Sequence, residues 1–181
     1  MALEVKIASE DWEFEQLFHL NYETFVDEIP QHSKNDNQQL IDKFHHNNTY
    51  IIALENKNLI GMMSINENRP FSLDQKLANL DSYLPAFKNG FEIRLLSVKS
   101  SHRGNMVFLK LFAKLSEIIE EKKFDIGLIS GILNQQKLYS KIGFEAFGPL
   151  LGTENAQFQP MYITYNKYKN SITQLNLVAK F

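Results

Sequence analysis

Two short stretches of the 181-residue chain concentrate the residue types that chemistry requires. The first is Glu92-Ile93-Arg94-Leu95-Leu96-Ser97-Val98-Lys99-Ser100-Ser101-His102-Arg103-Gly104-Asn105-Met106-Val107-Phe108. An apolar strand pattern ends near Val98, and an amphipathic helix pattern begins near Gly104. Such a junction points backbone N–H groups and the positive end of a helix dipole at an anion. Arg103 adds a fixed charge, and a glycine lets a phosphate approach the backbone closely. A solvated turn is the plain alternative. The chain has three arginines, Arg69, Arg94 and Arg103, so bidentate anion contacts are few. The second stretch is Asn134-Gln135-Gln136-Lys137-Leu138-Tyr139-Ser140-Lys141-Ile142-Gly143-Phe144-Glu145. It reads as a short helix stopped by Gly143, with Tyr139 one turn earlier. A tyrosine there supplies either a phenolic proton or a ring to pack.

Other groups offer narrower chemistry. Glu92 and Arg94 are two apart, so they share one face of a strand. On an otherwise apolar strand they must pair or line a cleft. Glu92 is therefore either a general base for an amine or half of a structural ion pair. Asp27-Glu28-Ile29-Pro30-Gln31-His32 follows the first helix, and its carboxylates suit an ammonium group or simply a solvated loop. His45 and His46 are neighbours, so on a helix they diverge by about 100° and do not share a metal. No His-Glu-x-x-His or Gly-x-Ser-x-Gly pattern is present.

The elements that must position these groups follow from periodicity. Glu4–Ala8 alternates as a strand. Ser9 reads as the cap of a helix through Trp12, Phe14, Leu17, Phe18, Tyr22 and Phe25, stopped by Pro30. Leu40, Ile41 and Phe44 suggest a second short helix. Tyr50–Leu54 and Leu59–Ile65 form a hairpin across Glu55-Asn56-Lys57-Asn58. Asn66–Asn89 is irregular and long enough to be functional. Phe91–Val98 is a strand, and Arg103-Gly104 opens a long helix. Phe124–Ser130 is a buried strand. Phe144–Phe147 and Met161–Tyr165 are the last strands, and the tail from Ser171 is strand or helix. No repeat or linker divides the chain, so one domain over residues 1–181 is expected. With 44% hydrophobic and 22% charged residues it can build a packed core. A net charge of -2 argues against a nucleic-acid partner. Without cysteine, thiol nucleophiles, disulfides and cysteine-held zinc are excluded. No basic leader or membrane-length apolar run is visible, so the cytoplasm is the expected location.

Taken together, the two motifs resemble the GNAT superfamily of acyl-CoA N-acyltransferases. The strand, Arg-Gly turn and long helix look like its pyrophosphate-binding motif. Asn134, Tyr139 and Gly143-Phe144 look like the motif that follows. The resemblance implies an α+β, three-layer fold: a mixed, mostly antiparallel central sheet with helices on both faces, splayed between its fourth and fifth strands. It implies acetyl-CoA or another acyl-CoA as co-substrate and no metal. Leu96, Ser97, Val98, Arg103, Gly104, Asn105, Met106, Val107 and Asn134 would bind the donor. Tyr139 would protonate the leaving thiolate, with Glu92 as the second catalytic candidate. Glu28, His32 and Arg94 would bind a small-molecule amine acceptor. Ser101 and Met106 depart from the family pattern, which usually has Gln or Arg, and a second Gly or Ala, at these places. Glu92-Ile93-Arg94 also resembles the acyl-homoserine-lactone and N-acyl amino acid synthases, relatives that accept acyl carrier protein. An enzyme of that kind, or a coenzyme A-binding module without turnover, is the alternative. A homodimer is left open, and neither membrane nor nucleic acid is an expected partner.

Overall fold

A computed structural model describes residues 3–104, 106–154 and 156–175. The chain forms two compact units. One comprises Met1–Ile65 with Leu95–Ile118, and the other Asn66–Arg94 with Ile119–Phe181. The strands are β1 (Leu3–Ile7), β2 (Asn48–Glu55), β3 (Asn58–Asn66), β4 (Gly90–Val98), β5 (Ile126–Ile132), β6 (Glu145–Ala146) and β7 (Phe158–Thr164). The helices are α1 (Asp11–Tyr22), α2 (Val107–Lys122), α3 (Gln136–Ile142) and α4 (Tyr165–Leu175). The expected mixed sheet is present, in the order β1-β2-β3-β4-β5-β7-β6. β1 runs antiparallel to β2, and β7 runs antiparallel to both β5 and β6. β4 and β5 are parallel, and their pairing stops at Ile93↔Ile129 although β4 continues to Val98.

In the first unit α1 lays Leu17 and Leu20 on Tyr50, Ile52, Leu54 and Met62. Burying each such side chain contributes roughly 1.5–3 kcal/mol. The opposite face of β3 meets α2. A Cβ on Gly61 would lie 2.7 Å from Val107 Cγ1, so glycine is what allows the helix this close. The hairpin turn uses Asn56 and Lys57, both with positive φ, as a two-residue turn of matching twist requires. In the second unit Phe71, Leu73, Leu77 and Leu80 of the long irregular segment cover Ile126, Leu128, Phe147 and Phe158.

Several elements differ from the sequence expectation. Ser9 does not cap α1. Glu10 occupies that place, and the Glu13 carboxylate accepts the N–H groups of Ser9 (2.8 Å) and Glu10 (3.1 Å). Trp12 is exposed rather than on the buried face. No helix forms at Leu40–Phe44. The Leu40 N–H donates to Phe18 O at 2.9 Å, which takes it out of any local helical ladder, and a short 3₁₀ turn follows at His45–Asn47. α2 begins at Val107 and not at Gly104, whose φ of 81° is left-handed and cannot sit in a right-handed helix. β6 is two residues long because Gly143, at φ 108°, is still closing α3. Tyr165 starts α4 instead of ending the last strand, and the tail beyond residue 175 lies outside the described residues.

Candidate active site

The first unit carries the anion-binding candidates. Lys99 N–H donates to Ile60 O at 2.9 Å and ties the end of β4 to β3. Ser97 is buried, and its hydroxyl hydrogen-bonds that of Thr24. Leu96 and Val98 are half-buried on either side of it. A 3₁₀ turn at Ser100–His102 then leads to Arg103 and Gly104. Gly104 needs its left-handed conformation, and a Cβ there would meet open space. Met106 is exposed, and Val107 is buried against Gly61. Asn105 lies outside the described residues. α2 is 16 residues long, and its first N–H groups have no partner within the helix. This end and Arg103 are neighbours in the chain, where the spacing places its anion-site candidate.

Arg103 is already engaged. Its Nε donates to Val98 O at 2.9 Å, and Nη2 donates to Glu28 Oε2 at 2.5 Å. Glu28 ends a π-helical turn, Glu23–Glu28, that continues α1. The wider turn is closed by Ile29 N–H donating to Thr24 O at 2.9 Å. π-turns inside helices occur frequently at functional sites. The structure thus brings two of the sequence candidates, Glu28 and Arg103, into direct contact. His32 is exposed in the polar segment beyond Pro30.

The second unit holds Glu92, Arg94, Asn134 and Tyr139. Glu92 is 1% exposed. Its Oε2 accepts Ser72 N–H at 2.7 Å, and Oε1 accepts the Ser72 hydroxyl at 2.6 Å and Leu73 N–H at 3.2 Å. Arg94 Nη1 lies 3.9 Å from Oε2. The carboxylate therefore anchors the Phe71–Leu73 turn and presents no oxygen to solvent. Asn134 is exposed in a 3₁₀ turn just before α3.

Tyr139 sits differently. Its ring lies against Gly131, where a Cβ would stand 3.1 Å from Cδ2, and meets Phe144 edge-on at 6.2 Å. Burial pushes its phenol up to about 12. Its hydroxyl makes no hydrogen bond to another described residue. The phenol is thus neutral at physiological pH, and its hydroxyl proton has no acceptor among the described residues.

Thr24, Ser72, Gly61 and Gly131, which contact Ser97, Glu92, Val107 and Tyr139, do not stand out in the sequence as neighbours of these candidates. Gly61 and Gly131 interrupt apolar strands, and that was the available signal of a close approach. No group of three or more His, Asp or Glu among the described residues could hold a metal ion. No helix among them is long and apolar enough to cross a membrane.

A sequence profile described as an acetyltransferase (GNAT) domain matches residues 20–113, just over half of the chain. No curated protein matches the sequence significantly. Solved structures share the fold at low identity. The CoA-dependent acyl-homoserine lactone synthase BjaI, with SAM and isopentyl-CoA, has a TM-score of 0.77 at 16% identity, covering 98% of this chain and 92% of that one. FeeM, an N-acyl amino acid synthase from uncultured soil microbes, has 0.74 at 16%, covering 96% and 97%. Arabidopsis thaliana Naa50 in complex with the bisubstrate analogue CoA-Ac-MVNAL has 0.64 at 15%, covering 91% and 100%.

Proposed function

The chain belongs to the GNAT acetyltransferase family, and we propose that it moves an acetyl or other acyl group from acyl-CoA to a primary amine by direct attack. The observation that carries this reading is the turn before α2. Arg103, the left-handed Gly104 and the first N–H groups of a 16-residue helix, which have no partner within that helix, lie together in the chain where a pyrophosphate needs charge and open backbone. Arg103 and the N–H groups at the start of α2 would hold the donor's phosphates. The backbone near Leu96–Val98 would polarise the thioester carbonyl.

The neutral amine attacks that carbonyl carbon and the C–S bond breaks; the resemblance to the family's Asn-Tyr-Gly-Phe motif is what assigns the proton on the leaving sulfur to the Tyr139 hydroxyl. The ammonium formed on nitrogen loses its proton to water, and the Tyr139 phenolate takes a proton back from water, which restores the neutral phenol. Glu92 is not needed as the base. Its lone pairs are committed to Ser72 and Leu73, and its role is to position that turn. Calorimetric titration with coenzyme A, acetyl-CoA and longer acyl-CoAs tests the reading. Saturable binding is expected, and no binding of any of them overturns it.

A second reading is an N-acyl amino acid or acyl-homoserine-lactone synthase, served by acyl carrier protein or by CoA. The higher TM-scores to BjaI and FeeM than to Naa50 favour it. Turnover with long acyl donors but not with acetyl-CoA would select it.

A further inference from the structure

We infer that Glu28 is a built-in competitor of the acyl donor: it holds the Arg103 guanidinium until the donor's phosphates displace it. This rests on the acyl-CoA reading above and adds a residue that sets donor affinity. The contact is specific. Arg103 Nη2 and Glu28 Oε2 are 2.5 Å apart, while Nε of the same guanidinium is fixed on Val98 O at 2.9 Å. The arginine is therefore folded back on the end of its own strand, with a carboxylate on the edge that a diphosphate would take. It is also exchangeable, because the Arg103 and Glu28 side chains are 47% and 38% exposed. Ion pairs this wet are worth little, so an incoming polyanion can replace one.

The fold holds Glu28 within reach. Thr24 is buried, and its hydroxyl bond to Ser97 pins the start of the π-turn on β4. The N–H of Ile29 closes the same turn on Thr24 O. The turn is thus fixed at its buried end, and the carboxylate stands at its exposed end. A donor that binds must either move Glu28 off the guanidinium or accept its negative charge beside the phosphates. Both lower the apparent affinity, and the first also frees a carboxylate once the donor is in place.

The test is calorimetric titration of coenzyme A into the wild-type chain and the Glu28→Gln, Asp27→Asn, Arg103→Ala and Glu28→Gln/Arg103→Ala variants. Melting temperatures are recorded to confirm folding. Asp27 neighbours Glu28 and faces Lys34 at 3.6 Å, so it controls for simple loss of negative charge. Glu28→Gln should tighten coenzyme A about two- to fivefold, the range of an exposed pair. Asp27→Asn should leave affinity nearly unchanged, and Glu28→Gln should have no effect once Arg103 is alanine. Unchanged or weaker binding by Glu28→Gln overturns the competition, as does equal tightening by Asp27→Asn or persistence of the effect without Arg103. Absence of binding by the wild type and every variant overturns the acyl-CoA reading instead.

Discussion

In the first unit Arg103 and Glu28 are held by an exchangeable polar bond, whereas in the second the contacts of Tyr139 among the described residues are those of its ring. Arg103 and Glu28 are partly exposed and satisfy each other. Tyr139 touches Gly131 and Phe144 through its ring, and its hydroxyl bonds to no other described residue. The difference matches what each proposed task needs. A group that grips an incoming anion can rest on a weak partner and swap it. A proton donor must be fixed without using up the proton, and van der Waals contact does that. The second unit also contains the contrasting case, because Glu92 is buried but has its oxygens filled.

The largest effect should come from removing the uncommitted proton. Tyr139→Phe keeps the ring against Gly131 and deletes only the hydroxyl. General acid catalysis contributes about 10²–10⁴ in rate, so turnover should fall at least about tenfold even with water as a substitute. Donor affinity and melting temperature should stay level. A packing tyrosine gives the reverse pattern: full turnover in the Phe variant and lost stability only in Tyr139→Ala. Arg103→Ala comes next. A charge-assisted contact is worth roughly 1.5–3 kcal/mol, so coenzyme A affinity should drop about ten- to a hundredfold. Stability should change by less than about 1 kcal/mol, since the pair being broken is exposed. Calorimetry showing wild-type affinity would remove Arg103 from the donor site.

Glu92→Gln separates the two kinds of buried group. An amide turned toward Ser72 and Leu73 cannot accept all three of their bonds, and one N–H faces another donor. The expected loss is roughly 1–3 kcal/mol of stability, read by denaturant unfolding. Turnover per folded molecule should not change. If turnover collapses in a protein of normal stability, Glu92 is a base after all, and the contrast with Tyr139 is misdrawn.

What could be read in the sequence was what depends on local pattern. The strand ending at Val98, the glycine stop at Gly143 and the amphipathic run of α2 each rest on periodicity or on one residue with a conformational monopoly. What escaped depends on contacts distant in sequence. Thr24 and Ser97 are 73 residues apart and Glu28 and Arg103 are 75 apart, so no spacing rule joins them. Glu92 could be seen to need a partner, but not that Ser72 and Leu73 would supply it. Leu40–Phe44 has helical spacing and no helix, because the backbone of Leu40 bonds to α1 instead. The π-turn has no sequence signature at all, since Glu23–Glu28 is an ordinary continuation of a helical pattern.

The smallest expected effect is a pH dependence confined to the first unit, and it shows how packing there acts on a charge. His45 lies among Phe14, Phe18 and Tyr50, with ring centroids 5.3–5.7 Å away, and its Nδ1 is 3.1 Å from the Tyr50 hydroxyl. Burial, and then the neighbouring His46, lower its pKa below the usual 6.5, while Asp42 opposes them. The folded chain therefore binds this proton less readily than the unfolded chain does. Stability is fully present above about pH 6.5 and is lost as pH falls below it through the folded value. Glu13, whose burial is outweighed by bonds from Lys6, Ser9 and Glu10, acts in a separate window below about pH 4.5. His45→Phe keeps an aromatic ring in the cluster and deletes the titration. The melting temperature of that variant should fall less than that of the wild type between pH 7 and pH 5, with Tyr139→Phe as the control that leaves the slope unchanged. Parallel pH profiles for His45→Phe and wild type would show that the aromatic cluster does not oppose the charge on this imidazole.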